Sequence, residues 1–244
     1  MSSPVISLTA LLGFFIASTT WSIARNQASR RPLFGPPLCF PGEETMPKST
    51  WLPLMGFGTA RRCPMSGASQ GNRRWLYEFA VAAYFAIAAW RIDDRLALIA
   101  VLLFSIPLLI IFLVDSWTRL IHTNMIGLGI LLGWLFAALD GTRQLGSSVI
   151  AMAAAAALFA GIFLLAVIIY RNPKVVPFGL GDVYLAAMIG AMVRLDDIAR
   201  ALLYGIFLAG ICIAVLLALK RVNRKQAVPY GPYLALGALV VLVL

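Results

Sequence analysis

The chain predicts an all-α fold: a polytopic membrane helix bundle of about eight transmembrane helices with one cytoplasmic loop subdomain. Three observations predict it. Of the 244 residues, 61% are hydrophobic and only 12% charged, whereas a soluble domain carries about 25% charged residues. The apolar residues gather in eight runs, most of them close to the roughly 20 residues that a spanning helix needs. The Lys and Arg residues between those runs are unevenly distributed, as they are around membrane spans.

The runs are Val5–Ala24, Trp75–Trp90, Leu96–Val114, Met125–Leu139, Ser147–Tyr170, Pro177–Val193, Ala201–Leu219 and Tyr230–Leu244. The first 24 residues hold no Lys or Arg, and a secretory signal would begin with a basic region. The first run is therefore expected to remain as a helix, residues 1–24. Residues 25–74 are the only long connection, rich in Pro, Gly, Ser and Arg and poor in large apolar side chains. They read as a loop subdomain without an independent core. Residues 75–244 form a seven-span membrane domain. Glu78 lies three residues into the second run, and pairing with a nearby Arg gives it a structural role. His122 precedes the fourth run as the only histidine; it reads as an interfacial residue and excludes a histidine-rich metal site. The sixth run opens on Pro177-Phe178-Gly179-Leu180-Gly181-Asp182, and its apolar part after Asp182 extends only to Val193. That length suits either a short span or a re-entrant segment.

Charge placement separates these two. With the N-terminus outside, 15 of the 20 Lys and Arg residues fall on the cytoplasmic side. The external connections keep Arg91, Arg95, Arg143, Arg194 and Arg200, each near an aspartate. A re-entrant sixth segment would send Lys220, Arg221, Arg224 and Lys225 outside, so eight spans fit better. The net charge of +10 is then a consequence of topology, and the expected partner is membrane lipid, with nucleic acid excluded. Asp115 ends the third span and Asp182 begins the sixth, both at the cytoplasmic face.

Ionisable groups at membrane depth are costly, which makes each a candidate for function. Asp182 has a competing structural reading as a helix N-cap after a glycine-rich turn. Taken alone, that reading outweighs catalysis. Asp115 would face the unfavourable negative end of a helix dipole, unless it sits in a solvated loop. Together they carry more. Two adjacent carboxyl groups do not both ionise readily, so one keeps its proton while the other activates water. Their titration then belongs to the pair. Gly179 and Gly181, lacking side chains, would let an extended substrate backbone approach the acid; a tight turn or close helix packing is the structural alternative. Cys39, Cys63 and Cys212 are far apart and make neither a disulfide framework nor paired Cys-x-x-Cys ligands. No Gly-x-Ser-x-Gly or His-Glu-x-x-His motif occurs, which removes the common serine and zinc hydrolases.

Three blocks in order carry a family resemblance. They are Asp115 with Ile121 six residues on, Gly179-Leu180-Gly181-Asp182 followed by Val183 to Ala191, and Val228-Pro229-Tyr230-Gly231-Pro232 running on to Gly237. Over nearly its whole length the chain resembles the prepilin peptidases, or type IV leader peptidases, of the GxGD membrane aspartyl protease class. The resemblance implies Asp115 and Asp182 as catalytic dyad, with Gly179 and Gly181 beside the substrate. It implies removal of the N-terminal leader from type IV prepilin or pseudopilin precursors, after a glycine, at the cytoplasmic face of the inner membrane. Proteolysis would need no cofactor; many relatives also methylate the new N-terminus with S-adenosylmethionine.

The chain departs from the family pattern in places. Relatives often carry two Cys-x-x-Cys pairs in the first cytoplasmic loop. Here Cys39-Phe-Pro-Gly42 and Cys63-Pro-Met-Ser66 each keep one cysteine, and two thiolates are too few for a closed four-ligand zinc site. Tyr184 stands where a lysine usually follows the second acid, and His122-Thr123 where a proline usually follows the isoleucine. A presenilin-like or signal-peptide-peptidase-like protease shares Gly-Leu-Gly-Asp, but the chain is short for one and lacks a Pro-Ala-Leu motif. A non-proteolytic transporter or channel binding cations at its acids would place them nearer mid-membrane, usually within an internal repeat. A degenerate member acting as an assembly scaffold would not need both acids.

Overall fold

The computed structural model describes residues 3–35, 73–140, 144–170, 179–221 and 229–244. Among these residues every element of secondary structure is a helix: α1 Ser3–Ala28, α2 Arg73–Arg91, α3 Arg95–Thr118, α4 Thr123–Leu139, α5 Leu145–Tyr170, α6 Leu180–Met192, α7 Ile198–Ala218 and α8 Gly231–Val241. Each helix falls on one of the eight apolar runs, and the architecture is that of a helical membrane bundle. Most of the 25–74 loop, with Cys39 and Cys63, lies outside the described residues, as do Pro177 and Phe178.

Helix lengths refine the expectation of eight full spans. Four helices, α1, α3, α5 and α7, are long and apolar enough to cross a membrane. α2 has 19 residues but carries Arg73, Arg74, Glu78 and Arg91. α4, α6 and α8 have 17, 13 and 11 residues. At about 1.5 Å per residue, α6 rises only about 20 Å, short of a hydrocarbon core about 30 Å thick. The reason lies at both of its ends. Its first turn starts at Leu180, and Val193 already leaves helical geometry at φ −92°, ψ 151°.

Two compact units divide the chain within α3, one ending at Leu102 and the other beginning at Leu103. In the first, α1 packs on α2 through a stripe of small and polar residues. Thr9, Ala17, Ser18, Thr20, Ser22 and Ala24 are all buried. A side chain at Gly13 would meet the Ala82 backbone at 2.7 Å, so its absence lets the two helices approach closely, as small residues do between membrane helices. The hydroxyls are satisfied in place: Thr9 and Ser22 donate to carbonyls three or four residues back, and Thr20 meets the Tyr77 hydroxyl at 2.8 Å. Arg74 bonds Glu78 at 2.8 Å and Ser18 at 2.6 Å. Glu78 is thus the structural half of a buried ion pair, as its position one turn from Arg74 suggests.

In the second unit, α6 is the centre. Leu185, Ala186, Met188, Ile189 and Ala191 are fully buried, with α4, α5, α7 and α8 around them. Such enclosure needs small neighbours. A Cβ at Gly190 would meet the Ala151 backbone of α5 at 2.5 Å. Ser148 of α5 donates to the Ala191 carbonyl at 2.7 Å, satisfying a backbone acceptor at the end of α6 that the helix itself cannot. α5 presents Leu158, Ile162, Leu164, Leu165, Ile168 and Ile169 outward, an apolar face suited to lipid and not to water.

Candidate active site

Asp115 sits in the last turn of α3 and is buried, 4% exposed. The sequence left it at a helix end or in a solvated loop; the helix in fact continues to Thr118. Arg119 then takes the left-handed conformation, φ 57°, and its amide closes the helix on the Asp115 carbonyl at 2.9 Å. The carboxyl group is held within the second unit, to which Asp115 itself belongs. It accepts a hydrogen bond from the Gly231 amide, and the charges of Arg119 and Asp182 both act on it.

Asp182 is 8% exposed and lies in the first turn of α6. The expected N-cap role needs correction. Gly179 is the N-cap, in extended geometry, and Asp182 occupies the third helical position. From there its Oδ2 accepts the Gly179 amide at 3.1 Å, while its own amide donates to the Gly179 carbonyl at 3.0 Å. This is the carboxylate half of a capping box. It orients the side chain back across the start of α6, toward Gly179.

The third contributor is the start of α8. Tyr230 is its N-cap and Pro232 stands in the first turn, where a missing amide costs the helix nothing. Gly231 is buried and its free side points at the acid: a Cβ there would lie 2.7 Å from Asp115 Oδ2. The same added carbon would lie 3.2 Å from Ile121 Cδ1, and one at Gly181 would lie 3.3 Å from Ile121 Cβ. Tyr230, half-buried, lies within the field of the Asp182 charge.

The ends of α3 and α6 and the first turn of α8 therefore converge, bringing Asp115, Asp182 and Gly181 together around Ile121. Gly179 lies beside Asp182, and an added Cβ there would stand 3.8 Å from the Asp182 Oδ2. Among the described residues neither carboxyl group takes part in a salt bridge such as Arg74–Glu78 or Arg200–Asp197. Each carboxyl group accepts one backbone amide, leaving lone pairs for a water or a shared proton. Among the described residues no cluster of three or more His, Cys, Asp or Glu side chains gathers in a metal-binding arrangement.

Sequence reasoning named both acids and both glycines. It did not single out the Gly231 amide, Tyr230 or the wedge formed by Ile121. The Gly-Pro pair at the start of the last apolar run was a signal for the first of these, since proline favours a first helical turn.

The sequence pattern of the type IV leader peptidase family matches residues 101–218. That segment runs from the second turn of α3 to the end of α7 and contains Asp115, Ile121 and Gly179 to Asp182. No curated protein and no solved structure matches the chain.

Proposed function

We propose that the chain, whose residues 101–218 match the type IV leader peptidase family, is a membrane peptidase of that type with Asp115 and Asp182 as its catalytic dyad. The observation that carries the proposal is the convergence of two buried carboxyl groups on one side chain: Gly181, next to Asp182, and Gly231, against Asp115, both face Ile121.

The chemistry follows from a single shared proton. The ionised carboxylate takes a proton from water as the water oxygen bonds to the scissile carbonyl carbon; the protonated carboxyl group hydrogen-bonds the carbonyl oxygen. When the tetrahedral intermediate collapses, the C–N bond breaks and the amine leaves with a proton from the dyad. The Gly231 and Gly179 amides fix the two side chains before substrate arrives, so little reorganisation is needed during reaction. Two ionised carboxyl groups sharing this site would repel each other, which keeps one proton in play.

The substrate is the leader junction of a prepilin or pseudopilin precursor, cut on the cytoplasmic side of the inner membrane. The bias of basic residues to one side supports that face, with the N-terminus outside. Gly179 and Gly181 would border the substrate backbone. Methylation of the new amine would add S-adenosylmethionine as a second substrate, and transfer of labelled methyl to cleaved product measures it.

The test is cleavage of a prepilin-like substrate by the purified full chain in lipid. Asp115→Asn and Asp182→Asn are each expected to lose at least about 10³-fold in rate, with a similar loss in the double variant, because residues acting as a unit do not add. Cleavage at the parent rate by either single variant would overturn the assignment.

A further inference from the structure

Resting on the proteolytic reading above, we infer that Ile121, wedged between Gly181 and Gly231 beside the two acids, is the side chain that limits the size of the substrate residue on the acyl side of the cleaved bond. The segment between α3 and α4, residues 119–122, is too short to wander from the carboxyl groups. It carries Ile121 into a gap that exists because two helices each hold a glycine in their first turn. Carbon atoms added at Gly181 and Gly231 would lie 3.3 Å and 3.2 Å from Ile121 Cδ1, and the latter would also be 2.7 Å from Asp115 Oδ2. A single aliphatic chain thus borders the residue before one acid and the residue that holds the other.

The geometry of attack makes that wall selective. The carbonyl carbon must come within about 3–3.5 Å of the attacking oxygen, so it sits against the dyad. The side chain of the residue bearing that carbonyl branches only one bond away. It has to occupy space next to the carboxyl groups, and Ile121 already fills part of that space. Glycine needs none of it; each added carbon competes with the Ile121 methyl groups.

A purely structural role predicts different behaviour. An isoleucine that only filled the gap between two glycines would be enclosed like Ile110 and Ile111, each 2% exposed. Ile121 is instead partly exposed and belongs to no helix. Trimming a filler lowers the amount of folded protein and slows every substrate alike. Trimming a specificity wall changes the ratio between substrates.

The experiment uses the full chain in lipid and two prepilin-like substrates that differ only in glycine or alanine before the cleaved bond. For Ile121→Ala, the ratio of kcat/KM for the alanine substrate to that for glycine is expected to rise about ten-fold or more over the parent, the usual worth of a methyl-sized change in an apolar pocket. Ile121→Val is expected to give a smaller rise, and Leu120→Ala, altering the exposed neighbour, none. An unchanged ratio in Ile121→Ala overturns the inference. If that variant does not accumulate as folded protein, Ile121→Val decides, and the parent ratio there overturns it. The underlying proteolytic reading fails separately, through a parent unable to cut the glycine substrate or through retained activity in the aspartate variants.

Discussion

The free side of Gly231 faces Oδ2 of Asp115 so closely that a single added carbon would stand 2.7 Å from that oxygen. The same residue donates its amide to the carboxyl group, so backbone approach and hydrogen bond depend on one missing side chain. Gly231→Ala is expected to displace Asp115 and to cost on the order of 10²-fold in cleavage rate, as misplacement of a reacting group by about 1 Å does. Gly127→Ala is the control. That glycine lies in α4 with nothing within 4 Å of an added Cβ, so the change is expected to leave cleavage intact and to stabilise the helix by up to about 1 kcal/mol. Cleavage assays and thermal melts of both variants in detergent check the contrast.

Cleavage is expected to show a bell-shaped dependence on pH. The dyad works only with one proton between its two carboxyl groups. Below both apparent pKa values the two acids are protonated and no base remains; above both, the two are ionised and no acid remains. The rate should therefore fall on each side of an optimum. A rate that only climbs with pH up to the alkaline limit would argue for a single base and against the shared proton.

Arg74 and Glu78 form a buried ion pair in the first unit, with side-chain exposures of 14% and 3%. Removing one member of such a pair leaves the other charge unbalanced in an apolar setting, at a cost of about 3–5 kcal/mol. Glu78→Ala is expected to lower the melting temperature and the yield of folded protein. The double variant Arg74→Met, Glu78→Met should recover much of that loss. Folded Glu78→Ala protein should still cleave substrate, since the pair supports packing of α1 on α2 and no step of the chemistry.

Chelators are expected to leave proteolysis unchanged, because two carboxyl groups activate water without a metal ion. Cys39 and Cys63 provide two thiolates where a closed zinc site takes four ligands, so the purified protein is expected to contain far less than one zinc per chain. Elemental analysis and cleavage after treatment with EDTA test this. Near-stoichiometric zinc, or strong inhibition by the chelator, would contradict it.

Runs such as Leu96–Val114 and Ala201–Leu219 announce helices by local composition alone, because a stretch that apolar satisfies its backbone in lipid only by bonding within itself. Asp115 and Asp182 stood out for the same local reason: each is an acid at the edge of such a run. Helix ends were less legible. Nothing in the residues around Val114 required α3 to continue to Thr118, and the start of α6 at Leu180 moved Asp182 from the expected cap into the first turn. Those limits depend on what caps each end, and at Asp115 the cap is Arg119 in a left-handed conformation while the carboxyl group is tied to a residue more than a hundred positions away.

Composition and spacing by themselves determined that this is a helical membrane protein with two acids and a glycine-rich turn at the edges of its spans. Only the tertiary structure decided that Gly231 holds Asp115, that Ile121 lies between Gly181 and Gly231, and that Ser18 and Thr20 of α1 bond Arg74 and Tyr77 of α2. The physical reason is rotational. Hydrophobic length fixes where a helix lies along the chain, but which side chains meet is set by how each helix turns about its axis, and in this chain glycines and buried hydroxyls fix that turn through contacts between distant segments.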